Sequence, residues 1–581
     1  MTKTKIIATL GPSTGSVDSL VALIEAGMNV ARINLSHGDR QSHRNAIDQV
    51  KQARKAAGSH TAILLDTRGP EIRVGDLAQP LEISAGQTLV ITTDQDSCGA
   101  DRIGVNYPGL ASDVAVGTTI LLDDGKLRLQ VVDIRDDDVI SRVMVGGVLT
   151  RRKRVSIPDT IVKLPSLSDK DKSDIAFGVV QGVDFIAASF VRKADDIWAV
   201  REIIEDNGGN QAIIAKIENR QGVDNLDEIL EAAEGLMVAR GDLGVELPAE
   251  EVPVLQKKII QACNRSGKPV ITATQMLESM VTSPSPTRAE ASDVTNAIFD
   301  GTDAVMLSAE TAVGKYPVQA IEFLARCANI SEASLDYETI LATGLKNRRK
   351  TITDAISYAC CRTAADLGAR AIITCTTSGS TARMVARHRP EAPIIAVSPN
   401  MENLRQLQVV RGVITLHGAA ASTMDQQLDL ACNIAREKGF IHHKDLVVIS
   451  AGMPIGTTGT TNMLKVRQMA DICFTGQGCG GGVAEGRIHI ISSHMDLKTI
   501  PEGAIAVVSG TDDDILDHIR KIRGIIAETP GLTTHAAIIG REHNIPVICN
   551  VRDARTLLAN GQTVTIDGNS GRISYGAGIN P

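Results

Sequence analysis

The sequence predicts an α/β protein whose core is a (β/α)8 barrel carrying further domains. Three observations predict this. Short apolar runs alternate with amphipathic helical patterns over much of the chain. Eight such runs occur before the rhythm changes. Only one interval interrupts them, and there the helical periodicity vanishes. An open doubly wound sheet is the rival architecture, which strand count alone does not exclude.

The eight runs are Lys5–Thr9, Asn29–Ile33, Ala62–Leu65, Asp184–Ala188, Ala212–Ala215, Leu236–Ala239, Pro269–Ala273 and Asp303–Leu307. Helical patterns at Val17–Glu25, Arg44–Ala56, Asp195–Asp206, Asn225–Glu234, Val252–Asn264, Arg288–Phe299 and Pro317–Ser331 fall between or after them. From Glu71 to about Lys163 the pattern turns strand-like, at Leu81–Ile83, Thr88–Thr92, Thr119–Leu122, Leu127–Ile134 and Val139–Val145, with Gly, Asp and Asn turns between. This reads as a small β domain inserted after the third barrel strand, over the barrel mouth, as a lid. Thr351 to about Asp471 is α/β again. Strands at Arg370–Cys375, Pro393–Val397 and Leu446–Ser450 alternate with helices at Asp354–Leu367, Ala382–His388 and Met424–Lys438. Gly476–Gly482 (GQGCGGG) reads as a linker, and Val483–Tyr575 as a small mixed unit with strands at Ile505–Ser509 and Val547–Asn550. The expected domains are 1–70 with 164–345 (barrel), 71–163 (lid), 346–473 (α/β), 474–482 (linker) and 483–581 (extension).

Composition narrows the function. The net charge of −8 argues against a nucleic-acid backbone or an anionic membrane as main partner, and 2% aromatics against base-stacking platforms. No apolar run reaches the roughly 20 residues that span a bilayer. The opening MTKTKIIATLGPSTG is too polar for a signal peptide. Ten scattered cysteines without a C-x-x-C pair, and with Cys473 and Cys479 at no common zinc spacing, predict reduced thiols in a cytoplasmic protein.

In parallel α/β folds the reactive groups sit where strands end. Here those ends are polar and mixed in charge. Lys216 and Glu218 follow the fifth run, and Arg240, Gly241 and Asp242 follow the sixth. Two acids and a lysine converging at one mouth suit a divalent metal plus a cation for a phosphoryl group or oxyanion. Arg32 and Arg73 have the fork geometry for phosphate. Asn34, Ser36, Asp66 and Thr67 offer hard oxygens for a monovalent or divalent cation. No Walker A sequence occurs. Met276 and Met280 fall at helical spacing and read as packing. A metal-dependent lyase or aldolase, or a non-catalytic sensor, is a further possibility at this stage.

The motifs ARINLSHG, LDTRGPEIR, LPSLSDKD, AKIENRQG, MVARGDLGVE, TATQMLESM, PTRAEASDVTNAIFDGTDAVMLSAET and TTSGSTARMVARHRP together resemble the pyruvate kinase family over essentially Lys3–Asp471. The resemblance implies a TIM barrel, an inserted β lid and a C-terminal α/β regulatory domain. It implies phosphoryl transfer from phosphoenolpyruvate to ADP, giving pyruvate and ATP, usually by a homotetramer. By the same resemblance Lys216 neutralises the phosphoryl group in flight, and Glu218 and Asp242 ligate Mg²⁺ (or Mn²⁺). Arg32 grips the transferred phosphate. Amides around Ala239, Arg240, Gly241 and Asp242 cradle the phosphoenolpyruvate carboxylate. Thr274 lies where the enolate carbon is protonated. Asn34, Ser36, Asp66 and Thr67 bind K⁺. Arg73, His37 and Lys170, with Asn34, face the ADP phosphates. Thr67 and Glu71 match the K⁺-dependent form of the family, whose K⁺-independent members carry lysine in place of this glutamate. The loop Thr376, Thr377, Ser378, Gly379, Ser380, Thr381 matches the position that binds a phosphorylated effector, a sugar phosphate or AMP. Asp169 and Arg68 depart from the usual glutamate and lysine but keep the charge. Gly531–Asn550 resembles the mobile, swivelling phosphohistidine domain of phosphoenolpyruvate-utilising enzymes, with His535 at the phosphorylated position. No ATP-grasp partner is evident, so a structural or regulatory use is expected. His443, His494 and His518 are expected at the surface.

Overall fold

The structure is a computed structural model describing residues 2–95, 97–158, 160–346, 350–442, 444–453, 460–469 and 471–575. The chain divides into two compact units: Met1–Ala365 with Ile372–Ala431 and Ser450–Leu464, and Asp366–Ala371 with Cys432–Ile449 and Lys465–Pro581.

The first unit is built on a closed parallel barrel. Its strands are β1 (Lys5–Thr9), β2 (Val30–Asn34), β3 (Ala62–Asp66), β4 (Phe185–Ala188), β5 (Ala212–Ile217), β6 (Gly235–Ala239), β7 (Val270–Ala273) and β8 (Ala304–Leu307). Each pairs in parallel with the next, and β8 closes on β1 from Lys5↔Ala304 to Ala8↔Leu307. The strands are buried nearly end to end, as parallel strands covered on both faces must be. This is why they read as unbroken apolar runs rather than alternating ones. Helix ends are fixed by side chains. Before Arg288–Asp300, Thr287 accepts from the Glu290 amide and Glu290 returns a bond to the Thr287 amide at 2.7 Å; Gly301, at φ 96°, ends the helix.

Three strands run further than hydropathy indicates. β2 includes Asn34, β3 includes Asp66 and β5 includes Lys216, so these polar groups stand on the barrel rather than in loops. The inserted domain has a seven-stranded sheet and a separate two-stranded one around Leu89, Ile91, Leu129 and Val139. A helical turn at Leu110–Asp113 stands where no helix is expected. Its short strands Ile72–Arg73 and Arg154–Ser156 pair antiparallel, so the chain leaves and re-enters the barrel at one place. Beyond the barrel, Ala371–Cys375, Ile394–Ser398 and Val413–His417 run parallel. They are anchored to the N-terminal ends of β4 and β8, where Arg405 lies 2.6 Å from Asp184 and Arg389 3.0 Å from Asp303.

The second unit carries an eight-stranded sheet whose core is parallel, from Val483–Ile490 through Ala504–Val508 and Ile522–Ala527 to Val547–Cys549. Gly476–Gly482 corrects the linker expectation. Gln477–Gly478 pairs with Val547–Cys549, and the Gly480 amide donates to Gly568 at 2.8 Å. A Cβ on Gly481, at φ 88°, would meet the Ile545 carbonyl at 2.1 Å, so the glycines serve close packing rather than slack. His494 is exposed and 2.9 Å from Asp514, His518 is half-buried, and His443 lies outside the described residues. Among the described residues no helix is long and apolar enough to cross a membrane.

Candidate active site

Five barrel strands bring polar groups to one point, charged ones from β2, β3 and β5 and hydroxyls from β1 and β4. Lys216, buried near the end of β5, places its ammonium 3.1 Å from Asp66 Oδ1, 2.8 Å from Ser189 Oγ and 3.0 Å from Glu218 Oε1. Asp66, ending β3, also accepts from Arg32 Nε of β2 at 2.6 Å, and Arg32 Nη1 donates to Thr9 Oγ1 of β1 at 2.8 Å. Ser189, just past β4, donates to the Thr67 carbonyl at 2.7 Å. Glu218 Oε2 accepts from the Phe190 amide at 2.5 Å, and Phe190 holds φ 54°, a strained value for an aromatic residue. Gly69 makes the approach possible, since a Cβ there would lie 2.8 Å from the Phe190 ring.

Burial and pairing act in opposite directions on the charged groups of the mouth. Burial works against the Asp66 carboxylate, yet Lys216 and Arg32 hold it below the usual range. Burial works against the Lys216 ammonium too, but Asp66, Glu218 and Asp242 together hold it well above its usual value. Burial pushes Glu218 up to about 7; Lys216 opposes this and Asp242 adds to it. Glu218 and Asp242 thus repel each other at the mouth while both stabilise the Lys216 ammonium.

β6 ends at Ala239 and turns directly into the helix Arg240–Glu246. The Gly241 amide donates to Thr274 Oγ1 at 2.8 Å, and Thr274 Oγ1 donates to the Ala273 carbonyl at 2.6 Å. Thr274 and Gln275 hold φ 67° and 55°. Arg240 secures both, donating to their carbonyls at 2.6 and 3.2 Å while pairing with Asp293 at 2.6 Å. From the lid, Arg154 pairs with Asp242, lies 3.4 Å from Glu246 and stacks 4.6 Å over the Phe190 ring.

The profile of the pyruvate kinase barrel domain matches residues 1–321, and that of the pyruvate kinase alpha/beta domain matches 354–467. This chain belongs to the pyruvate kinase family. The mobile-domain profile of PEP-utilising enzymes matches residues 500–571. A pyruvate kinase from Geobacillus stearothermophilus is 49% identical and one from Bacillus licheniformis 47%, each match covering 99% of both chains, extension included. A solved pyruvate kinase from Cryptosporidium parvum superposes with a TM-score of 0.77 at 40% identity, covering 80% of this chain and 96% of that one. The chain is accordingly an enzyme of this family.

Set against the pyruvate kinase motifs, Arg32, Asp66, Lys216 and Glu218 form one bonded cluster, and Gly241 and Thr274 a second. Asn34 is the register partner of Asp66, and its Oδ1 accepts from the Ser36 amide at 3.0 Å; Thr67 Oγ1 accepts from the Ser189 amide at 3.2 Å. Lys170 donates to the Leu35 carbonyl at 3.1 Å, beside the exposed His37. Arg73 is turned elsewhere, 2.6 Å from Glu71 and 2.9 Å from the Arg152 carbonyl. Sequence reasoning gave no role to Ser189, Phe190 or Arg154. Ser189 and Phe190 directly follow the apolar run Asp184–Ala188 and carry no other signal, and Arg154 carries no periodic one.

Thr376, Thr377, Ser378, Ser380, Thr381 and Gln427 line a pocket whose other walls include the apolar Pro399, Ala420, Met424 and Ala451. The helix there begins at Ser380 rather than Ala382, after Gly379 at φ 77°. In the second unit, His535 opens the helix His535–His543, capped by Thr534, with Nδ1 3.1 Å from Thr511 Oγ1 and Nε2 3.3 Å from Asp513.

Proposed function

We propose that this enzyme transfers the phosphoryl group of phosphoenolpyruvate to ADP at the barrel mouth, giving pyruvate and ATP. The observation that carries this is the buried Lys216 ammonium, in contact with Asp66, Ser189 and Glu218 at once. The transfer breaks the bond between enol oxygen and phosphorus and forms one from phosphorus to a β-phosphate oxygen of ADP. The protein's part is positioning and charge. Lys216 and Arg32 hold the phosphoryl oxygens and offset their charge. The amides at the start of Arg240–Glu246 receive the carboxylate. The enolate carbon takes its proton on the Thr274 side, directly or through water. His37, Lys170 and Asn34 face the ADP phosphates, with Arg73 turning from Glu71 to join them.

Glu218 and Asp242 would hold Mg²⁺ or Mn²⁺, the chemistry supplied being neutralisation of phosphoryl and carboxylate oxygens. Asn34, Ser36, Asp66 and Thr67 would hold K⁺, adding positive charge beside the transferred group. Thr376–Thr381 takes a phosphorylated effector, and the enzyme works in the cytoplasm as a homotetramer. The experiment is ATP formation from phosphoenolpyruvate and ADP, in K⁺ against Na⁺ and with a panel of sugar phosphates and AMP. ATP that forms only with Mg²⁺ and K⁺, and faster with one of the effectors, supports the reading. Equal rates in Na⁺ remove the K⁺ site.

A further inference from the structure

Arg154 reaches the barrel mouth from the lid. It stands on the strand Arg154–Ser156, which pairs with Ile72–Arg73 at the neck of the inserted domain. Its side chain is nearly enclosed, with Nη1 on Asp242 Oδ1 and Nη2 3.4 Å from Glu246 Oε1. Below it lies the Phe190 ring at 4.6 Å, a cation–π contact. Phe190 also gives its amide to Glu218, so one strained residue supports both the guanidinium and a mouth carboxylate. Asp242, Glu246, Glu218 and Glu71 all act on this one cation. A carboxylate oxygen committed to a charge-assisted bond with arginine is not at the same time free for a metal.

We infer that Arg154 is a tethered counter-cation, competing with a divalent metal ion for Asp242. Metal binding then moves the guanidinium off Asp242 and frees the lid's arm from the barrel, so metal occupancy and lid position are coupled. Linkage requires the reverse as well: a lid held down by Arg154 weakens the metal. The inference rests on the reading of Glu218 and Asp242 as metal ligands.

The test is direct Mn²⁺ binding to the substrate-free full chain, read as free Mn²⁺ by electron paramagnetic resonance. Arg154→Met is expected to bind Mn²⁺ about tenfold more tightly than the parent, roughly one broken charge-assisted contact. Lys153→Met is the field control. Lys153 is the neighbouring lid cation, 2.6 Å from Asp123. Removing it is expected to change Mn²⁺ affinity by less than about twofold, because an exposed charge away from the contact is screened. Equal tightening in both variants would show a general field rather than competition and overturn the proposal, as would unchanged or weaker binding in Arg154→Met. Asp242→Asn separates the two levels. If it binds Mn²⁺ like the parent, the metal reading itself fails. If it loses Mn²⁺ while Arg154→Met is unchanged, only the competition fails. Should Arg154→Met not fold by a thermal scan, Arg154→Lys replaces it, with about threefold tightening expected from the lost fork geometry and no tightening counting against. A fluorescence pair across lid and barrel gives the second readout. Mn²⁺ alone is expected to lengthen the distance in the parent, and not in Arg154→Met; no change in the parent would overturn the coupling.

Discussion

At the barrel mouth Lys216 and Asp66 are buried and each is held by several partners, while in the C-terminal extension His535 is one-third exposed and leans on an Asp513 that is almost wholly in solvent. Both positions sit in recognisable motifs. They differ in what remains when one group is removed. Deleting Lys216 leaves Asp66 and Glu218 buried beside each other with fewer cations, whereas deleting His535 leaves no buried charge. Motif strength is therefore a poor guide to energetic commitment; the depth and mutual dependence of the charges is a better one.

That contrast can be broken. The largest effect is expected at Lys216: Lys216→Met should lower kcat roughly a thousandfold, with an unchanged fold by circular dichroism. Retained turnover would place the chemistry elsewhere. Ser189→Ala comes next. Ser189 touches Lys216 and the Thr67 carbonyl at once, and its loss should lower kcat/KM about tenfold through a misplaced ammonium. Exchange of K⁺ for Na⁺ should slow the enzyme, and Glu71→Lys should make it less sensitive to that exchange, measured as the ratio of initial rates in the two salts. The smallest effect is expected in the extension, where His535→Ala should change the initial rate by less than about twofold. A large loss there would give the extension the same standing as the mouth.

Much of the fold is legible in the sequence. β1 and the lid strands Leu81–Ile83, Thr88–Thr92 and Thr119–Leu122 fall on the residues that periodicity marks. Val413–His417 escaped because Thr415 and His417 interrupt its apolar pattern, and Arg154–Ser156 because three residues are too few to show one. The glycines at 476–482 have the composition of a flexible tether, and only their close neighbours show that they pack. In the site, Arg32, Asp66, Lys216 and Glu218 announce themselves as charges at the ends of apolar runs. Ser189 and Phe190 do not, because a hydroxyl and a ring at a strand end look like any loop. Arg154 meets Asp242 across 88 positions of sequence, a contact that exists only once the lid folds back.

The most direct test of the account is to follow phosphorus through the reaction. With Mg²⁺, K⁺, phosphoenolpyruvate and ADP, ³¹P resonance should show the phosphoenolpyruvate signal replaced by the γ-phosphate of ATP, and Lys216→Met should leave the starting signal in place. Release of inorganic phosphate in place of ATP, or parent-like conversion by Lys216→Met, would contradict it.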